Sequence, residues 1–363
     1  RLTNVDLLSG SGAITTIARG TSGIHIGGYN IGDGLFIGQK AGSLVESSSS
    51  AISLIADNIQ LTKPLITNST GALIFESLSN SFTSNITLSN KTTTSHSSLR
   101  IGKTSNTFNI SLGGTTSIAG PINVYGRTIS IIDNLNTTSG ATNGDVLLKS
   151  TTDISVAASK SITTNGGDVI LWSDTDENGG LILINDNVTI NSINGSTSSN
   201  LSGGGKIVFA GGADDGSNGG IALDGIPDGT AKSATGNGIR IGSTTANFSQ
   251  LYSGGGDILI RGLSTNNDTN VNNIGVYQFG KFTANSGTGA ITISGQSTNF
   301  YGLNFLEPAS NVTTGDTQLS LISNKPSGSA ISINGTSSST HGVVFNYNNP
   351  KEILATGGGT INI

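Results

Sequence analysis

A glycine-rich turn followed by four to six residues with alternating apolar side chains recurs along the whole chain. Examples are Gly144-Asp-Val-Leu-Leu-Lys-Ser150, Gly166-Gly-Asp-Val-Ile-Leu-Trp172, Gly179-Gly-Leu-Ile-Leu-Ile184 and Gly203-Gly-Gly-Lys-Ile-Val-Phe209. Gly219-Gly-Ile-Ala-Leu-Asp224, Gly254-Gly-Gly-Asp-Ile-Leu-Ile260, Gly287-Thr-Gly-Ala-Ile-Thr-Ile293, Gly328-Ser-Ala-Ile-Ser-Ile333 and Gly357-Gly-Gly-Thr-Ile-Asn-Ile363 repeat it. A period of two is that of a strand with one face buried, so each segment is expected to be a short strand. No long stretch has the periodicity of an amphipathic helix, and the chain has no Met and only 11% charged residues. The turns are built from residues that accept left-handed backbone, chiefly Gly and Asn.

The anchors Gly203, Gly219, Gly236 and Gly254 are almost evenly spaced. A repeat of roughly 17 residues that carries strands alone points to a β-solenoid. A propeller needs blades of about 40 residues with a Trp-Asp type signature, and this chain has one Trp. Secondary strand-like pieces sit between the anchors, among them Ser53-Leu-Ile-Ala, Asn85-Ile-Thr-Leu88, Ile129-Ser-Ile-Ile132, Asp153-Ile-Ser-Val156 and Val188-Thr-Ile190. Two or three such strands would make one coil, with Ile, Leu and Val stacked inward and Thr, Ser and Asn outward. At roughly 20 to 25 residues per coil the chain would wind about 15 to 18 coils, a rod roughly 70 to 85 Å long. The six Pro residues are scattered and mark no domain boundary, so residues 1–363 are read as one continuous solenoid. Two polar stretches, Gly211 to Gly219 and Ser264 to Asn273, are expected to be loops bulging from it.

Composition removes several classes of function. The net charge of -5 and the absence of any Lys/Arg run leave nucleic-acid binding without support. No apolar stretch reaches the length of a membrane-spanning helix. The regular bursts of Ile, Leu and Val argue against a disordered chain. There is no Cys, and a solenoid needs no disulfide because each coil buries its face on the next. The chain starts at Arg1 and lacks a signal peptide, which is the expectation for a processed subunit or a segment of a longer chain.

The run Ala51-Ile-Ser-Leu-Ile-Ala-Asp-Asn-Ile-Gln-Leu61, the run Ile66-Thr-Asn-Ser-Thr-Gly-Ala-Leu-Ile-Phe75 and the segment from Gly166 to Asp176 resemble the shaft of filamentous-haemagglutinin-type bacterial adhesins. These proteins typically leave the cell by two-partner secretion. The resemblance lies in pattern and composition over most of the chain and is not specific to single residues. The amino-terminal secretion domain of that family, with its Asn-Pro-Asn-Gly type motif, has no counterpart here. The resemblance implies an all-β, right-handed parallel β-helix on the cell surface or secreted. It implies a rigid rod that attaches to glycans or proteins of host or neighbouring cells.

Three acidic groups are the best candidates for chemistry: Asp174 with Asp176 and Glu177, Asp214 with Asp215, and Asp224 with Asp228. Parallel β-helices that cleave polysaccharides use carboxylates grouped in a groove lined by aromatic rings. Each group here is flanked by Gly or Asn, as turn carboxylates are, so no catalytic site is assigned and an enzyme is not expected. Calcium is the one ion that the alternating oxygens of Asp174 to Asn178 could suit, but the remaining ligands of a calcium loop are missing. His25, His96 and His341 share no metal-ligand spacing. The aromatic residues Trp172, Tyr252, Tyr277, Phe279, Phe300, Tyr301, Phe305, Phe345 and Tyr347 are expected mainly in the core, with one ring of the Phe300-Tyr301 pair turned outward if that pair lies in a strand. Asn-x-Ser/Thr sequons occur at Asn68, Asn85, Asn109, Asn187, Asn247, Asn311 and Asn334.

A structural or adhesive shaft is therefore the leading expectation, stacking end to end on itself or continuing in a longer adhesin chain. A carbohydrate-binding or carbohydrate-cleaving β-helix is the rival. Ice binding would need a regular Thr-x-Thr ladder, and Thr15-Thr16, Thr115-Thr116 and Thr163-Thr164 recur at no fixed interval.

Overall fold

The computed structural model describes residues 5–7, 13–19, 24–26, 35–37, 49–61, 65–88, 91–94, 96–114, 116–139, 144–195, 202–244, 247–266, 273–307, 317–346 and 349–363. Its strands assemble into parallel sheets that form the faces of a β-helix. The first face runs from Val5–Leu7 to Lys351–Ala355 through twelve strands, and the second from Ile14–Ile17 to Thr360–Asn362. The third face runs through nine strands from Ile86–Leu88 to Val343–Asn346. Every strand pair along these faces is parallel, and each strand pairs with the corresponding strand one coil away. The all-β parallel β-helix is thus the fold of the chain.

The core follows from alternation. On the second face, Ile52, Leu73, Leu99, Ile122, Val146, Val169, Ile207, Ile258, Ile291 and Ile331 stand in register and are buried. Two residues on, Leu54, Phe75, Ile101, Val124, Leu148, Leu171, Phe209, Ile260, Ile293 and Ile333 form a second buried column. The third face contributes the aliphatic column Ile86, Ile110, Ile129, Ile154, Ile182 and Ile239. Burying one such side chain contributes roughly 1.5–3 kcal/mol, and each coil supplies several.

The corner between the first and second faces explains the glycine anchors. A Cβ on Gly167 would lie 2.3 Å from the Gly144 carbonyl carbon. One on Gly205 would lie 2.2 Å from the Gly167 oxygen, one on Gly256 2.2 Å from the Gly205 oxygen, and one on Gly289 2.1 Å from the Gly256 oxygen. The backbone of each coil rests directly on the one below, leaving no room for a side chain. Buried hydroxyls satisfy the same corner: Ser192 donates to the Gly205 carbonyl (2.7 Å), Ser253 to Gly256 (2.5 Å) and Ser286 to Gly289 (2.7 Å). Beside it, carboxylates bridge the coils. The Asp168 N–H donates to Asp145 (2.8 Å), the Lys206 N–H to Asp168 (2.7 Å) and the Ala290 N–H to Asp257 (2.7 Å).

Two sequence expectations need correction. The first and second faces each step through twelve rungs, fewer than the coils expected, which places the first and last rungs about 53 Å apart. The reason is coil length. The register partners Leu73, Leu99 and Ile122 follow one another at close to the expected interval. The coil from Val169 to Ile207 is much longer, and the coil from Ile207 to Ile258 is longer still. The second correction concerns Gly219-Gly-Ile-Ala-Leu-Asp224, which is not a strand. Gly219 ends a short 3-10 turn, and Ile221 and Leu223 are 70% and 89% exposed. The even spacing of Gly203, Gly219, Gly236 and Gly254 therefore did not mark coils.

Candidate functional site

The extra length of the coil between Ile207 and Ile258 is spent on a loop from Gly212 to Gly229 that folds back over the outside of the second face. Outward-pointing residues of that face make its floor. Trp172 stands beside Ala210, and Ile170 beside Val208, which in turn stands beside Leu259. The loop closes over Trp172, whose indole N–H donates to the Gly212 carbonyl at 2.8 Å. The ring is buried, and the Lys149 ammonium lies 3.3 Å from its centroid. Burial lowers the Lys149 pKa, with Asp214 opposing that shift.

Acidic side chains brace the loop from within. Asp228 is buried and accepts the Gly216 N–H at 2.6 Å. Its carbonyl accepts Asn218 Nδ2 (2.9 Å) and Arg261 Nη1 (2.8 Å). Asp214 accepts the Gly225 N–H at 2.8 Å and the Asp224 N–H at 3.3 Å, and Asp224 accepts the Ile226 N–H at 2.9 Å. Arg261 Nη2 also reaches the Asn218 carbonyl at 3.3 Å. The sequence separates these residues, and only the loop's return across the face unites them.

The loop also meets the turn that follows Trp172. The Gly212 N–H donates to the Asp174 carbonyl at 3.1 Å, and the Asp174 carboxylate accepts the Gly179 N–H at 2.5 Å. Lys232 donates to the Glu177 carbonyl at 3.1 Å, and its backbone bridges Gly180. Together these segments line a cleft of about 190 Å³ that includes Asp174, Glu177, Asp215 and Lys232. Burial pushes the Asp174 carboxyl up to about 6, against the Gly179 hydrogen bond and the Lys232 charge, and Asp176 and Glu177 add to the rise. Of the six non-glycine residues with positive φ among the described residues, Asp174, Glu177, Asn218 and Leu223 all lie here. Backbone strain is thus concentrated at this site.

Two of the three acidic groups picked out in the sequence meet in one cleft, through Asp174 and Glu177 from one and Asp215 from the other. Asp214, Asp224 and Asp228 serve as struts, and Asp176 is exposed beside the cleft. Among the described residues no three His, Cys, Asp or Glu side chains are grouped to hold a metal ion. His96 is buried, its Nδ1 lies 2.8 Å from the Gly71 carbonyl and burial lowers its pKa, whereas His341 is exposed and packs on Tyr301. The side chain of His25, like Tyr347 and Asn311, lies outside the described residues.

The aromatic residues divide between roles. Phe305 is buried and stacks on Phe345 at 5.1 Å, along the inward side of the third face. Tyr277 and Phe279 stack at 6.1 Å and are half-buried, as is Tyr252. Phe300 and Tyr301 lie in a turn, not a strand, and pack on each other at 4.0 Å, both half-buried. Among the sequons, Asn85, Asn187 and Asn334 are exposed, while Asn247 is buried with its amide donating to the Phe279 carbonyl at 2.6 Å. Lys149 and Arg261 gave no sequence signal of their own, because each sits in an apolar strand segment, and Lys232 is isolated in a polar stretch; Ile221 and Leu223 gave the misleading signal of a strand.

The fold defines the class, a parallel β-helix with a lateral loop braced across one face. No protein-family profile matches the chain, and neither a curated protein nor a solved structure matches it.

Proposed function

We propose that this chain is an extracellular adhesive shaft: a rigid rod whose lateral surface attaches to glycans or proteins of a host or neighbouring cell. The observation that carries the reading is the outward surface of the first face. Ser161, Thr189, Gln250, Thr283 and Glu352 lie along one in-register outward column there, in which Ser320 is covered and donates to Glu352, and Ser117, Asn136, Thr163, Asn191, Tyr252 and Asn285 lie along a second. Such columns present many weak hydrogen-bonding groups at a fixed spacing, which suits repeated low-affinity attachment better than a single convergent active site. No helix among the described residues is long and apolar enough to cross a membrane.

Electron microscopy of the native material tests this reading. Axially repeating rods or fibres bound along their sides to cells or glycan-coated surfaces are expected. Isolated particles with no lateral attachment would overturn it.

A second reading, carbohydrate cleavage, is favoured by one observation. Asp174, which holds its proton up to about pH 6, lines a cleft with Glu177 and Asp215, as a general acid beside carboxylates would. Release of reducing ends from a polysaccharide panel, abolished by Asp174→Asn, would establish it. A panel left intact would remove it.

A further inference from the structure

The tip of the loop over the second face presents Ile221 and Leu223 to solvent, 70% and 89% exposed. They are not loose ends of a mobile segment. The Leu223 N–H donates to the Asp214 carbonyl at 3.4 Å, and Leu223 holds φ at 61°, a backbone conformation that costs a leucine energy. The struts at Asp214, Asp224 and Asp228 fix the backbone on either side. A large side chain held outward in a strained, pre-organised loop has the character of a binding anchor.

A receptor for such an anchor lies next to it. The same loop and the second face enclose a groove of about 210 Å³, lined by Val208, Ile226 and Leu259, with Lys206, Arg261 and Asp257 at its polar margin. It is larger than the ~150 Å³ apolar cavity that takes up benzene, so it has room for one aliphatic side chain. Charge is complementary as well. The tip is flanked by the exposed Asp215 and Asp224, while the groove carries two cations. Asp257, which accepts the Ala290 N–H at 2.7 Å, offsets one of these charges and leaves the groove margin net positive. Ile226, a little beyond Leu223 in the same loop, lines the groove, so anchor and receptor occupy one continuous patch. That is the requirement for a two-fold symmetric contact, in which the same patch serves both partners.

We infer that the occupant is a second copy of this chain: two rods pair side by side, with Leu223 of each seated in the Val208–Ile226–Leu259 groove of the other and Ile221 packed against its rim. This lateral pairing is separate from end-to-end stacking and does not depend on the adhesive reading.

Sedimentation equilibrium on the 363-residue chain tests it, near neutral pH and about 0.15 M salt. A monomer–dimer equilibrium is expected. Leu223→Asp and Leu259→Asp each weaken it at least about a hundredfold, because each symmetric dimer loses two apolar seats. Mixing the two variants restores one intact anchor–groove pair, so the mixture associates more tightly than either variant alone. Leu223→Gly separates folding from pairing: it removes the anchor and relieves the positive φ, so the rod gains thermal stability while the dimer weakens. The proposal is overturned if the unmodified chain stays monomeric up to about 100 µM. It is equally overturned if Leu223→Asp pairs like the unmodified chain, or if the mixture is no tighter than its components.

Discussion

The coils from Ile52 to Ser173 and those from Ile207 to Ser337 belong to the same three-faced helix but solve its construction differently. In the first region the register partners on the second face follow one another closely and evenly, as Ile52, Leu73, Leu99, Ile122, Val146 and Val169. Corners are tight, and the three ion pairs found among the described residues, Arg100 with Glu76, Lys103 with Glu76 and Lys160 with Asp133, all lie here. In the second region the partners are Ile207, Ile258, Ile291 and Ile331, so every coil is longer and no two are alike. Its second-face strands lengthen to Ile258–Ser264, Ile291–Ser297 and Ser329–Ser337. Yet both regions share the same buried columns and the same glycine corner. The core sets where the coils stack, while the lateral detail varies without disturbing it. Stability belongs to the shared columns, and individuality belongs to what projects from them.

If that division is right, the two kinds of glycine differ most. Gly205→Ala would press a methyl group into the Gly167 carbonyl with no side chain to yield, so a loss of at least ~3 kcal/mol is expected in urea unfolding. Gly219→Ala meets nothing within 4 Å and opposes only the positive φ of 79°, so about 1 kcal/mol is expected. Equal losses would break the comparison. The next effect is local. Asp228→Ala removes the carboxylate that holds the Gly216 N–H, at a cost of roughly 1–3 kcal/mol. The loop should lift from the one Trp while the rod's far-UV spectrum stays unchanged. Quenching of Trp172 fluorescence by acrylamide should rise, and unchanged quenching would show that the strut does not hold the lid.

A smaller effect follows from pH. The folded-state pKa of Asp174, about 6, lies above its ordinary value of 3.8. The folded protein therefore binds this proton more tightly, so the stabilising contribution of Asp174 is fully present below about pH 4 and is lost as pH rises through about 6. Unfolding of the loop region, followed at Trp172, should show this decline, and Asp174→Asn should flatten it. A decline that survives the substitution would assign it to another group. The smallest effect belongs to the regular region, where Glu76→Gln, removing the carboxylate shared by Arg100 and Lys103, should cost less than ~1 kcal/mol in thermal unfolding.

The regular region was legible because its signal is physical and local. In Gly166-Gly-Asp-Val-Ile-Leu-Trp172 the glycines mark the close approach of two backbones, and the alternating Val169 and Leu171 mark the buried side. The loop was opaque for the converse reason. Gly219-Gly-Ile-Ala-Leu-Asp224 has a strand's alternation, but its apolar residues face solvent because no neighbouring coil is available to pair with them. Coil length was misjudged because insertions and corners draw on the same Gly, Ser, Asn and Thr. The cleft could not be foreseen, since Asp174 and Asp215 meet only through a fold-back that no spacing encodes. The corner hydroxyls Ser192, Ser253 and Ser286 were hidden among dozens of equivalent residues.

Each coil climbs by one strand spacing, about 4.8 Å, whether it is the short turn from Ile52 to Leu73 or the long one from Ile207 to Ile258. Height along the axis is therefore decoupled from contour length. A gene encoding such a rod can gain or lose a surface loop in one coil and leave every other coil at its original level. The rod behaves as a ruler with interchangeable markings, on which the loop over Trp172 is one mark. New binding surfaces can be written onto it one at a time, without recalculating the distance between those already there.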